Sequence, residues 1–128
     1  MITLKHKSPL TVVGINTGHD GGCCIIHENK MIAISEERLN RTKHSSGFLY
    51  SFFYCLKNLG ITINDLDAIV FSSYHKAIDS GFQGQLEALG IPSEKFFSID
   101  HHLSHAWGSY CFSEFDEAVI VIMDGLGN

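Results

Sequence analysis

Proline is scarce in this 128-residue chain, with 2, and tryptophan scarcer, with 1. No Pro/Gly/Ser-rich stretch divides it, so one domain of ordinary size is expected. Basic charge is also short: 9 Lys and Arg stand against 14 Asp and Glu, a net charge of −5. Without a basic stripe to release counterions, no partnership with nucleic acid or an anionic membrane surface is expected. Long apolar runs are missing too. Ala118–Met123 is far too short to span a bilayer, and Met1–Leu10 has no apolar core before a cleavage site, so a cytoplasmic location is expected. Cys23, Cys24, Cys55 and Cys111 show no C-x-x-C spacing, and buried reduced thiols are the expectation for them. What is present is globular: 45% hydrophobic and 18% charged residues.

The patterning predicts strands at Leu10–Asn16, Cys23–His27 and Met31–Glu36, joined by short turns and therefore antiparallel. Glu28-Asn29-Lys30 is the second turn, with Asn supplying left-handed geometry. A polar loop from Glu36 to Gly47 leads to a helix over Phe48–Leu59, with Leu49, Phe52, Phe53, Leu56 and Leu59 on one face and Gly60 as its stop. Asp67–Ser72 reads as a strand. Ile78, Phe82, Leu86 and Leu89 mark a second helix, Phe96–Ile99 a small strand, and Asp100 the N-cap of a third helix to Phe112. Glu117–Met123 reads as a last strand. Phe52, Phe53 and Phe82 belong to the core; Trp107 and Tyr110 face either core or cleft.

A meander followed by crossover units gives an α/β, ribonuclease-H-like mixed sheet with helices on its faces. Val12–Gly22 and Ile120–Asn128 resemble each other, each an apolar strand running into a glycine-rich turn. A duplicated fold is the expectation, with residues 1–117 its N-terminal lobe and residues 118–128 the first strand and turn of a second. The chain then reads as the N-terminal piece of something larger, marginal or self-associating when isolated because the strand at Ala118–Met123 lacks neighbours.

His101-His102-Leu103-Ser104-His105 is the sharpest constellation. Positions i and i+4 share a helix face, so His101 and His105 can grip one divalent ion, while His102 points about 100° away and is a poorer ligand. The helix N-terminus disfavours imidazolium at His101, and Asp124 adds an anionic oxygen at a strand end. Two imidazoles and a carboxylate leave open positions, which suits a catalytic ion. Against this stands a capping His101 and a packed His105. The glycine turns offer Asn16, Thr17, Gly18 and Asp20, and Gly125 and Gly127, to a nucleotide phosphate; a hairpin accounts for the first turn equally well. His19, beside Asp20, is a general acid/base candidate. Arg38, Arg41, Lys43 and His44 bring positive charge to a loop that binds phosphate or carboxylate, or is merely solvated.

Together, Gly14-Ile15-Asn16-Thr17-Gly18-His19-Asp20-Gly21-Gly22, Glu36-Glu37-Arg38-Leu39 with Lys43-His44, His101-His102-Leu103-Ser104-His105-Ala106 and Asp124-Gly125-Leu126-Gly127 resemble carbamoyltransferases of the NodU/CmcH type. The resemblance implies the first half of a duplicated actin/Hsp70-like ATPase fold. It implies transfer of a carbamoyl group from carbamoyl phosphate, through a carbamoyl adenylate made from ATP by a separate C-terminal domain, to the hydroxyl of a small-molecule acceptor. His101, His105 and Asp124 then look like ligands of a divalent metal, iron (Fe2+), and His19 like the active-site histidine. The glycine turns look like phosphate contacts. The second lobe and the adenylate-forming domain lie outside this chain, and a homodimer is compatible with the pattern. Asn128 stands where the family usually has Glu. Competing readings are a tRNA threonylcarbamoyl transferase, an actin-like-fold sugar or acid kinase, and a non-catalytic fragment that only binds metal or nucleotide.

Overall fold

The computed structural model describes residues 9–73 and 79–125. Ile78 and Gly127 lie outside the described residues. Five strands form one sheet in the order β3-β2-β1-β4-β5: β1 is Val12–Asn16, β2 Gly22–His27, β3 Lys30–Ser35, β4 Ala68–Ser73 and β5 Phe96–Asp100. The first three strands pair antiparallel, with Val13 opposite Ile25 and Ile25 opposite Ile32, as their short turns require. β4 and β5 pair parallel to β1 and to each other, because helices intervene. This is the mixed sheet that the alternation of elements implies.

Alternation along the strands sorts side chains onto two faces. Val13, Ile15, Cys23, Ile25, Ile69 and Phe71 are buried on one face. Helix α2, Leu49–Leu59, packs there through Phe52, Cys55 and Leu56 and ends at a left-handed Gly60. Helix α3, Ser80–Ala88, closes the same core through Leu86, with the Phe82 ring edge-on to Phe48. Phe53 departs from expectation. It is 46% exposed, with its ring edge-on to the buried Phe52.

Four further expectations are corrected. The polar loop begins with a helix, α1, Glu36–Asn40, whose Glu36 side chain is buried. Its carboxylate accepts from the N–H groups of Tyr50 and Ser51 at 3.0 and 2.9 Å, capping α2 from across the fold. Glu28, not Asn29, takes the left-handed conformation in the β2–β3 turn. Glu117–Met123 is not a strand: a strand needs a hydrogen-bonded neighbour, and in this segment Val119, Val121 and Met123 are 94%, 76% and 89% exposed. Cys23 and Cys55 are buried free thiols, but Cys24 is half-buried and Cys111 exposed.

Helix α4, His101–Cys111, lies against β4 and β5. The second face of the sheet and α4 enclose a cleft of about 520 Å³ lined by Gly14, Cys24, Val70, Ser72, Ile99 and Trp107 among others. Trp107 therefore faces the cleft, while the Tyr110 hydroxyl donates to the Asp116 carbonyl at 2.7 Å.

Candidate active site at one edge of the sheet

The carboxyl ends of the parallel strands β1, β4 and β5 share one sheet edge. The β1–β2 turn follows Asn16 there, α1 follows β3 there, and α4 starts there, so His19, Asp20, His44 and the histidines of α4 lie along that rim. Two groups form, and β4 separates their parent strands by about 10 Å, two strand spacings.

The first group sits on loops. Gly21 N–H donates to the Ser45 carbonyl at 2.8 Å, and Gly47 N–H to the Thr17 carbonyl at 3.1 Å, so the segment between α1 and α2 crosses directly over the turn. A Cβ on Gly21 would stand 2.1 Å from the Gly47 carbonyl oxygen, a contact that only glycine permits. The Asn16 side-chain amide donates to the Asp20 carbonyl at 3.2 Å, so the turn itself engages that group. Within this frame His19 Nδ1 lies 2.8 Å from Asp20 Oδ2, and His44 Nδ1 lies 2.7 Å from Asp20 Oδ1. The His44 backbone N–H donates to Glu37 Oε2 at 3.0 Å. Asp20, Glu37 and His44 thus bring their potential donor atoms within 4.8 Å of one another. Hydrogen bonds to His19 and then His44 lower the Asp20 pKa below its ordinary value of 3.8. Hydrogen bonding to Asp20 raises that of His44 above 6.5.

The second group sits on α4. Asp100 caps the helix by accepting from Leu103 N–H at 3.1 Å, which fixes where the histidine face begins. His101 Nε2 and His105 Nε2 face each other at 3.1 Å, the meeting that i and i+4 spacing predicts. Asp124 Oδ2 stands 3.5 Å from His101 Nε2. His102 is no bystander: its Nε2 is 3.0 Å from the same oxygen, because the segment carrying Asp124 passes over the first turn of the helix. Ser72 Oγ lies 3.3 Å from His101 Nδ1, bracing the ring from β4. Burial, and then the neighbouring His105, lower the His101 pKa from its ordinary value of 6.5, favouring the neutral ring. His101 Nε2 thus lies within 3.5 Å of both His105 Nε2 and Asp124 Oδ2, a spacing at which an ion with bonds of about 2.1 Å can join His101 to either partner. Among the described residues, the three donor atoms found within 4.8 Å of one another are those of Asp20, Glu37 and His44. The donor types on α4 and Asp124, imidazole nitrogens with one carboxylate oxygen, suit such an ion as well.

A family model described as carbamoyltransferase N-terminus matches residues 11–90. The chain belongs to the carbamoyltransferase N-terminal family. Nodulation protein NolNO of Sinorhizobium fredii is 30% identical over 135 residues, covering 86% of this chain and 20% of that protein. The uncharacterized protein MJ1051 of Methanocaldococcus jannaschii is 29% identical over 130 residues, covering 91% of this chain and 22% of that protein. The chain thus spans about a fifth of the length of these curated relatives. Among solved structures, YeaZ from Pseudomonas aeruginosa superposes with a TM-score of 0.55 at 18% identity, covering 80% of this chain and 49% of that one. That likeness bears out the ribonuclease-H-like fold.

Of the residues singled out from sequence, the structure brings His19 to Asp20 and sets His101 beside both His105 and Asp124. Arg38 and Lys43 are exposed; Arg38 approaches Glu37 at 3.9 Å. Gly125 is exposed beside Asp124. Sequence reasoning rated His102 a poorer ligand and His44 one of the loop's positive charges, and gave no separate part to Glu36 or Glu37. The His44 signal was its place in a loop with Lys43; the others had none beyond belonging to the motifs.

Proposed function

We propose that this chain carries the carbamoyl-transfer site of an O-carbamoyltransferase acting on a hydroxyl-bearing small molecule, with carbamoyl phosphate and ATP as the source of a carbamoyl adenylate. The observation that carries this reading is that His19 with Asp20, and His101 and His105 with Asp124, stand on one sheet edge in a chain of this family. His101, His105 and Asp124 would hold a divalent ion, Fe2+ in this reading. When bound, such an ion polarises an oxygen of the carbamoyl adenylate. His19 lies on an exposed turn, open to an incoming alcohol. The acceptor oxygen bonds to the carbamoyl carbon, its proton passes to His19 Nε2, and the adenylate oxygen leaves with the electron pair of the broken bond. Asn16, Thr17, Gly18 and Gly125 frame the rim where the phosphate would lie, with Arg38 and Lys43 as nearby positive charge.

The test is calorimetry of the chain with a non-transferable sulfamate analogue of carbamoyl adenylate, with and without Fe2+ under anaerobic conditions. Metal-dependent binding, weakened in His19→Ala and lost in the double variant His101→Ala/His105→Ala, is expected. Binding of ATP with Mg2+ that ignores the His101 and His105 substitutions would replace this reading with a kinase-type site.

A further inference from the structure

We propose that Asp20 is the positioning residue of this site, one carboxylate holding two imidazoles so that His19 presents Nε2 as its proton acceptor and His44 is tied to the same turn. The inference rests on the proposed role of His19 and adds to it the group that orients the ring. A carboxylate only accepts hydrogen bonds. The contacts of Asp20 Oδ2 with His19 Nδ1 at 2.8 Å and of Oδ1 with His44 Nδ1 at 2.7 Å therefore place a hydrogen on both Nδ1 atoms. A neutral imidazole carrying its proton on Nδ1 has its lone pair on Nε2, and that is the tautomer general base catalysis requires.

The fold fixes Asp20 from both sides. Its own φ of 60° is left-handed, its carbonyl accepts from Asn16, and the next residue, Gly21, is bonded to Ser45. His44, also left-handed at φ 56°, is aimed by the bond from its backbone N–H to Glu37. The charges facing His44 are Asp20 from the turn and Glu37 from α1, with His19 sharing the carboxylate. Arg38 and Lys43 are the exposed cations of the same loop region. Two carboxylates against one imidazole favour a charged His44. His19, whose Nε2 carries the lone pair when Nδ1 is the donor, is then left to take up a proton, and the imidazolium so formed keeps Asp20 as its partner.

Long-range 1H–15N correlation of the histidine rings reads this directly, with no substrate or metal present. In the wild type, His19 is expected in the Nδ1–H form when neutral, with the His44 midpoint above that of a solvated histidine. Asp20→Ala should move His19 to the Nε2–H form that dominates free imidazole and bring the His44 midpoint down. Asp20→Asn, which keeps the size but offers one acceptor oxygen, should lower the His44 midpoint even if the alanine variant is poorly folded. An unchanged His19 tautomer in folded Asp20→Ala, or an unchanged His44 midpoint in Asp20→Asn, overturns the proposal. Loss of the tautomer effect leaves metal-dependent analogue binding untouched, so the two readings fail separately.

Discussion

The two groups along the rim are built in opposite ways. Around Asp20 the geometry comes from loops, and those loops are locked: Gly21 meets Gly47, Ser45 accepts from Gly21, and Glu36 pins α2 from the far end of the same segment. Around Asp124 the two imidazoles come from a helix, whose periodicity supplies their spacing without any tertiary help. The carboxylate there arrives on an exposed segment, Glu117–Met123, outside the sheet. A loop can thus be a more determined scaffold than a helix when its backbone is cross-braced. A helical pair is only as complete as the segment that brings its third group.

The comparison breaks most severely at α4. Removing both imidazoles, His101→Ala with His105→Ala, should lower divalent-ion affinity by more than about 100-fold, since disturbing supporting partners of a ligand alone costs about 10–100-fold. Because His105 is exposed and neither ring belongs to the buried core, the circular dichroism of the variant should match the wild type. Unchanged affinity by calorimetry would separate the ion from these rings altogether. Asp124→Asn should have the smaller effect, about tenfold, since it keeps the shape and loses the charge.

The loop group should respond in stability rather than in ion affinity. Gly21→Ala forces a methyl group against the Gly47 carbonyl, and such crowding costs about 1–3 kcal/mol. Urea unfolding should show that loss while divalent-ion affinity, read by calorimetry, stays that of the wild type. A variant as stable as the wild type would mean that the crossing of turn and loop bends freely, and that the bracing argument fails.

How much of this was legible depends on whether an interaction is local. His101 and His105 could be paired from their spacing because four residues on a helix always meet. The sheet followed from turn lengths and alternation, and Phe52 from helical spacing. Phe53, one position on, was misread because a face about 100° wide shades into solvent at its margin. Glu36 was not legible as a buried group: its reason for burial is the pair of N–H groups at Tyr50 and Ser51, and no periodicity marks a carboxylate that caps another helix. His44 meets Asp20 across 24 positions through backbone turns that composition does not encode. Glu117–Met123 has the residues of a strand, but strand formation is decided by neighbouring strands, which lie beyond the reach of local propensity.

The smallest effect is the most specific one, the pH dependence of the Asp20–His44 pair. The folded pKa of His44 is raised above 6.5, so its contribution to stability is complete below 6.5 and disappears as pH rises through the folded value. Asp20 is lowered below 3.8, so its contribution is present above 3.8 and disappears as pH falls through the folded value. The pair therefore contributes most between about pH 4 and 6, and little on either side. Both groups are solvent-exposed, so salt should flatten the effect. Urea midpoints of wild type and His44→Gln, compared across that range, should differ most near pH 5 and converge toward pH 8.5. A difference that stays constant with pH would show that His44 braces the loop through shape alone. The charge argument for its pairing with Asp20 would then fall, while the backbone bond to Glu37 would remain as the reason the ring points where it does.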